Sequence, residues 1–249
     1  AMNEINEYLN IPSDSNTGSI IKEFYGSIEA KDLFFQYPQT KNPIFESLNL
    51  NFSAGDVISV IGSNGSGKST LMNVFASVLE LSRGSIMIDG IELAQLSKTW
   101  YRSQIAFSPQ EPKFIDGSIK DNLIGSNEIK ETDFKNILIE VDLINYINSK
   151  EKGLNTLLED RGESLPVGIR KRMSLARAMV NRSQLIILDE PTEGLDITGK
   201  EKVKNLINNE KQKKKTIIIA TNDQEIINLS HILVDMNSKP KPNIARVKK

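Results

Sequence analysis

Residues 62–69 read Gly-Ser-Asn-Gly-Ser-Gly-Lys-Ser, a complete G-x-x-x-x-G-K-[ST] spacing of the kind that wraps a phosphate chain. The glycines let backbone N–H groups turn inward onto phosphate oxygens. A helix N-terminus behind the loop adds a partial positive charge. Lys68 is then placed for β- and γ-phosphates and Ser69 for Mg2+, with Ser63, Asn64, Gly65, Ser66, Gly67 and Thr70 completing the candidate cradle. A glycine-rich stretch can be a plain turn. Here the apolar run 57–61 reads as a buried strand and residues 68–78 as a helix, which is the context the motif needs. Downstream, the apolar residues 185–188 end in Asp189 and Glu190. An acid at such a strand end holds the Mg2+ shell in phosphate-loop ATPases, and Asp189 fits. Glu190 stands one residue on, where a carboxylate can take the proton of a water attacking the γ-phosphate. Paired acids after a strand can also be a capping turn; the phosphate loop upstream favours the chemical reading.

These residues need a scaffold. The 249 residues suffice for one large domain or two small ones, and 31 Lys+Arg against 32 Asp+Glu give no global charge for nucleic acid or a membrane surface. There is no cysteine, hence no disulfide, thiolate nucleophile or Cys-based metal site, and one histidine, His231, excludes a multi-histidine centre. Apolar stretches of about five residues fall far short of the roughly 20 that span a bilayer, and no signal peptide is visible. Residues 1–27 have linker composition, with Ala1 ahead of Met2 as a cloning remnant. Alternation at Ile28, Ala30, Leu33, Phe35 and Tyr37 predicts a strand closed by Pro38, followed by strands near residues 48–52, 83–88 and 105–107. From Ser118 to about Leu158 the pattern turns helical. A helix near 167–180, strand 185–188, helix 199–209, strand 216–220 and a final helix and strand follow. This order predicts an α/β, phosphate-loop NTPase core with a mostly parallel, doubly covered sheet. The basic cluster Lys211, Lys213, Lys214 and Lys215 reads as a solvated loop.

With both halves of the nucleotide site in view, the sequence resembles the ATP-binding cassette family, specifically an exporter's nucleotide-binding domain, from about Gly26 to Asp235. The resemblance implies a RecA-like core with an antiparallel β subdomain and an inserted helical subdomain at about 112–182, the domain running 28–249. It implies ATP and Mg2+ as ligands. Tyr37, after Phe35-Gln36, resembles the adenine-stacking residue; Gln110, after Ser108-Pro109, resembles the Q-loop glutamine that touches Mg2+ or the attacking water and senses the membrane partner. Ser69, Gln110 and Asp189 would hold the metal. Glu190, Lys68, Gln110 and Asn222 would carry catalysis. Residues 114–123 resemble an exporter pattern, Glu159-Asp160-Arg161-Gly162 the loop before the signature helix, and Asp196 the D-loop aspartate.

The match departs from the family in two places. The signature L-S-G-G-Q is replaced by Leu165-Pro166-Val167-Gly168-Ile169, and Asn222 stands where the switch histidine belongs. Pro166 suits a helix start, but the hydroxyl is lost and Val167 adds bulk where backbone should approach a partner's phosphate. Glu190 is intact, so the expectation is slow, real hydrolysis with ATP-driven pairing into a homodimer or heterodimer. By resemblance, the chain works on the cytoplasmic face of a membrane with a transmembrane permease domain, fused or separate, in an exporter of the type I secretion kind, with secretion accessory proteins as further partners and no nucleic acid. Two other readings stand beside this one: a regulatory cassette that binds ATP with little hydrolysis, and a soluble DNA-repair or ribosome cassette, against which the run 114–123 speaks.

Overall fold

A computed structural model describes residues 18–125 and 127–247. The linker reading of residues 1–17 lies outside them. In chain order the elements are β1 (Ile28–Phe35), β2 (Phe45–Phe52), β3 (Val57–Ile61), α1 (Lys68–Phe75), β4 (Arg83–Ile88), β5 (Ile91–Glu92), α2 (Lys98–Gln104) and β6 (Ile105–Ser108). Then come β7 (Gly117–Ser118), α3 (Ile119–Ile124), α4 (Glu131–Glu140), α5 (Ile144–Asn148), β8 (Leu157–Leu158) and α6 (Val167–Val180). The chain closes with β9 (Leu185–Asp189), α7 (Ile197–Gln212), β10 (Thr216–Ala220), α8 (Gln224–Ile227), β11 (Ile232–Asp235) and β12 (Asn243–Arg246).

Six strands form the main sheet in the order β12-β11-β3-β10-β9-β6, parallel except for β12. Strands β9 and β10 are buried along their whole length, as continuous apolar runs covered on both faces must be. Strict alternation splits their side chains. Leu185, Ile187, Ile218 and Ala220 face the core shared with the β subdomain, whereas Ile186, Leu188, Ile217 and Ile219 face the helical side. Each such aliphatic side chain contributes about 2 kcal/mol on burial. The antiparallel sheet β2-β1-β4-β5 packs Phe45, Phe52 and Leu48 against Phe75 and Met72 of α1.

The helical lobe is short helices closed by the β7–β8 ladder. The run 114–123 builds its turn: buried Asn122 accepts from the Ile115 N–H (2.9 Å) and donates to the Ile115 (2.9 Å) and Ser118 (3.1 Å) carbonyls. Ser118 and Asp121 form a reciprocal capping box at α3. No described helix is long and apolar enough to cross a membrane.

Three features differ from the sequence expectation. Helix α2 and strand β12 have no counterpart in it, because neither carries a periodic apolar signal. The basic cluster is not simply solvated: Lys213 and Lys215 pair with buried Glu210 at 2.7 and 2.5 Å, which holds that carboxyl low against its burial. Residues 18–27 also pack against the domain. Ser19 bridges to Leu96, and Phe24 meets Trp100 and Tyr101 edge-on. The Asp89 carboxylate accepts from the N–H groups of Tyr25, Gly26 and Ser27 and from the Ser27 hydroxyl, all at 2.8–3.0 Å. Hydrogen bonds to a charged acceptor are the strong kind, so we expect Asp89→Asn to lower unfolding free energy by about 2 kcal/mol and to expose residues 24–27 to amide exchange. Unchanged stability and exchange would show that Phe24 and the Ser19 bridge hold the strap without Asp89.

Candidate nucleotide site

The phosphate loop leaves β3, whose neighbours β10 and β11 bury it on both sides. Ligands of open α/β sheets sit beyond the carboxyl ends of the strands, and the loop, Asp189 at the end of β9 and Asn222 just past β10 converge there. Gly67 caps α1 in the left-handed region (φ 106°), with no side chain closing the helix. The first N–H groups of α1 are therefore left for a ligand. A Cβ at Gly67 would lie 2.3 Å from the Ile44 methyl, so only glycine fits.

Lys68 is 6 % exposed. Its Nζ donates to the Gly62 carbonyl (2.7 Å) and pairs with Glu190 Oε1 (3.2 Å). Ser69 Oγ donates to Gln110 Oε1 at 3.2 Å. Tyr37, edge-on to Phe35 and donating to or accepting from Thr70 Oγ1 at 3.1 Å, stands at the rim. A cavity of about 420 Å3 is bounded by Tyr37, Ile44, residues 63–70, Gln110 and Glu190. Asp189 is buried, and its Oδ1 has no hydrogen-bond partner. Burial pushes this carboxyl above the usual range, against Ser69, Lys171 and Lys68, which pull it down.

The donor set fits Mg2+ as phosphate sites hold it. That ion keeps waters and takes one or two carboxylates beside substrate phosphates, and the described residues contain no cluster of three acids or histidines that would cage a metal without substrate. An unpartnered buried carboxylate oxygen beside a serine hydroxyl is what such an ion needs.

Three site residues already have partners within the chain. Asn222 holds one peptide group of the phosphate loop: its Oδ1 accepts from Gly62 N–H (3.2 Å) and its Nδ2 donates to Gly62 O (3.0 Å). Pro166 is the N-cap of α6 rather than its first turn, and Val167 opens the helix half-exposed. Val167 also leans on the D-loop, since a Cβ at Gly194 (φ 74°) would meet Val167 Cγ1 at 2.9 Å. Leu165, Gly168 and Ile169 are partly buried around it. Asp196 is turned to its own chain, capping α7 through Gly199 N–H (3.2 Å) and pairing with Arg172 (2.8 Å). Arg172 also reaches Asp142 after α4 (3.1 Å), which ties the helical lobe to the D-loop.

Other contributors were not legible from their positions in the chain. Asn237 accepts from Ser63 N–H (2.9 Å) and Lys239 donates to Gly65 O (3.1 Å), both from beyond β11. Buried Lys171 donates to the Gln110 carbonyl (2.8 Å), and burial holds its ammonium below the ordinary lysine value. His231 is a support, its Nδ1 accepting from Val57 N–H at 3.2 Å.

Because the folded protein raises the Asp189 carboxyl, ionised Asp189 costs the ligand-free fold stability at pH above its folded titration, and the cost disappears as pH falls through it. Asp189→Asn should then raise unfolding free energy without ligand by about 1 kcal/mol at neutral pH. Denaturant unfolding checks this; a loss of stability would mean the lysines outweigh burial.

The model of the ABC transporter family matches residues 45–193. ABC transporter B family member 1 of Dictyostelium discoideum is 34 % identical over 221 residues, covering 87 % of this chain and 24 % of that protein. The leukotoxin export ATP-binding protein LtxB of Aggregatibacter actinomycetemcomitans is 29 % identical, over 94 % of this chain and 33 % of its own. The chain thus spans about a quarter to a third of the length of these curated relatives. In fold, a bacterial Atm1-family ABC exporter solved with ATP bound superposes with a TM-score of 0.86 at 20 % identity, over 98 % of this chain and 44 % of that one. The match runs through the phosphate loop, the helical lobe and the carboxylate strand together, more than half of the sequence, and the chain belongs to the ABC transporter family.

Proposed function

We propose that this chain is the ATP-hydrolysing domain of an exporter, working at the cytoplasmic face of a membrane with a transmembrane permease domain, fused or separate. The observation that carries the reading is the convergence of Lys68, Ser69 and Glu190 on one cavity at the carboxyl edge of the sheet, with buried Asp189, one of whose oxygens has no partner, directly before Glu190. ATP enters with its base on Tyr37 and its phosphates in the loop. Lys68 then exchanges the Gly62 carbonyl and Glu190 for phosphate oxygens, which releases the Glu190 carboxylate. Ser69, Asp189 and Gln110 would hold Mg2+, which would supply charge neutralisation of the phosphates. Glu190 accepts the proton of the attacking water, and the γ-phosphoryl leaves ADP as inorganic phosphate.

The α6 N-terminus of a second cassette faces the γ-phosphate across a homodimer or heterodimer. Pro166 offers neither hydroxyl nor N–H there, and Asn222 carries no charge and commits one of its two amide N–H groups to Gly62, so charge developing in the transition state meets fewer donors. Turnover is accordingly slow. Similarity to a protein named for leukotoxin export supports a type I secretion-like exporter with accessory secretion proteins.

Steady-state ATP hydrolysis with Mg2+ over a protein concentration series tests this. We expect activity rising steeply with concentration, reduced about a hundredfold or more by Glu190→Gln and abolished with binding by Lys68→Ala. Asn222→His should raise turnover. ATP binding without turnover above Glu190→Gln would instead support a binding-only cassette.

A further inference from the structure

Gln110 is held by three separate contacts. Its Oε1 accepts from Ser69 Oγ (3.2 Å), its Nε2 donates to Glu193 Oε2 (2.8 Å), and its backbone carbonyl accepts from buried Lys171 (2.8 Å). Lys171 holds the main chain, and an amide placed between Ser69 and Glu193 can still turn by half a turn, which exchanges oxygen and nitrogen. The flipped amide would present N–H groups to the metal position beside Ser69 and Asp189, where a cation is repelled. An ionised carboxylate accepts hydrogen bonds and donates none. Glu193 therefore accepts only the nitrogen of that amide and leaves the oxygen on the Ser69 side. A partner that both donates and accepts would not discriminate.

We propose that Glu193 is a positioning residue for metal binding: through the Gln110 amide it aims a carbonyl oxygen at the Mg2+ that accompanies ATP. This rests on the ATP reading above and adds to it a reason for a glutamate three residues after Glu190. Glu193 sits directly ahead of Gly194, in the segment that Val167 of the signature helix overhangs. The contact thus joins the metal site to the surface through which a second cassette would close.

The test is the dissociation constant of a fluorescent ATP analogue measured in EDTA and again in Mg2+; the EDTA value divided by the Mg2+ value reports the metal's contribution without turnover. Outer partners of metal ligands are typically worth tenfold or more in affinity, so Glu193→Ala should lower the ratio about tenfold with the EDTA value unchanged. Glu193→Lys, a donor only, should lower it further, and Glu193→Gln, able to accept or donate, should fall between wild type and Ala. In a Gln110→Ala background Glu193→Ala should have no further effect, because the role runs through that amide. An unchanged ratio in Glu193→Ala, or an equal fall in the Gln110→Ala background, would overturn the proposal, the latter by assigning the effect to charge alone. Loss of affinity in EDTA as well would overturn it by showing that Glu193 only holds the loop together. Wild-type protein that binds the analogue in neither condition would overturn the ATP reading itself, and this proposal with it.

Discussion

The parallel ladder β9–β10–β3 is the constraint on which the site depends. Ala220 pairs with Val60 on one side and with Asp189 on the other, so three strands end together at one edge. A slip by one residue would send every alternate side chain to the opposite face of the sheet. It would exchange the Ile217, Ile219 set with the Ile218, Ala220 set, and the two apolar cores would resist together. The register that buries the aliphatic side chains is therefore the register that sets the strand-end acids opposite the phosphate loop.

At that edge the protein keeps electrostatic strain. Asp189 is buried with one oxygen unpartnered, Lys171 is buried under a raised cost of charge, and Lys68 is satisfied by a backbone carbonyl and Glu190. Burial costs the Asp189 carboxylate and the Lys171 ammonium something in the ligand-free fold. Active sites commonly carry such perturbed groups in clefts. The helix behind the loop obeys the same logic, since α1 opens on a glycine with its first N–H groups uncapped, whereas α2 and α3 are capped by Ser97 and Ser118.

The departures in the signature and switch positions are absorbed locally. Val167 occupies space that Gly194 leaves open, and Asn222 closes onto Gly62 from both sides of one peptide group. Arg172 ties Asp142 and Asp196, so the helical lobe and the D-loop share one partly buried cation. Gln110, between Ser69, Glu193 and Lys171, links the metal side of the site to that same region.

The sequence by itself determined the parts whose physics is local. The phosphate loop is a contiguous spacing with its own strand and helix, and helix Val167–Val180 and strand Thr216–Ala220 follow from apolar periodicity, to the residue. Asp189 and Glu190 were legible because an apolar run ended in two acids. Tertiary structure alone decided what depends on distance across the chain. Asn237 and Lys239 buttress a loop some 174 positions away, and Glu193 finds Gln110 across 83. Short edge elements such as β12 and α2 carry too little periodicity to announce themselves. Asn222 could be aligned from sequence, yet its hydrogen bonds to Gly62 arise only when β10 lies beside β3, since a side chain's partners are chosen by packing and not by its neighbours in the chain.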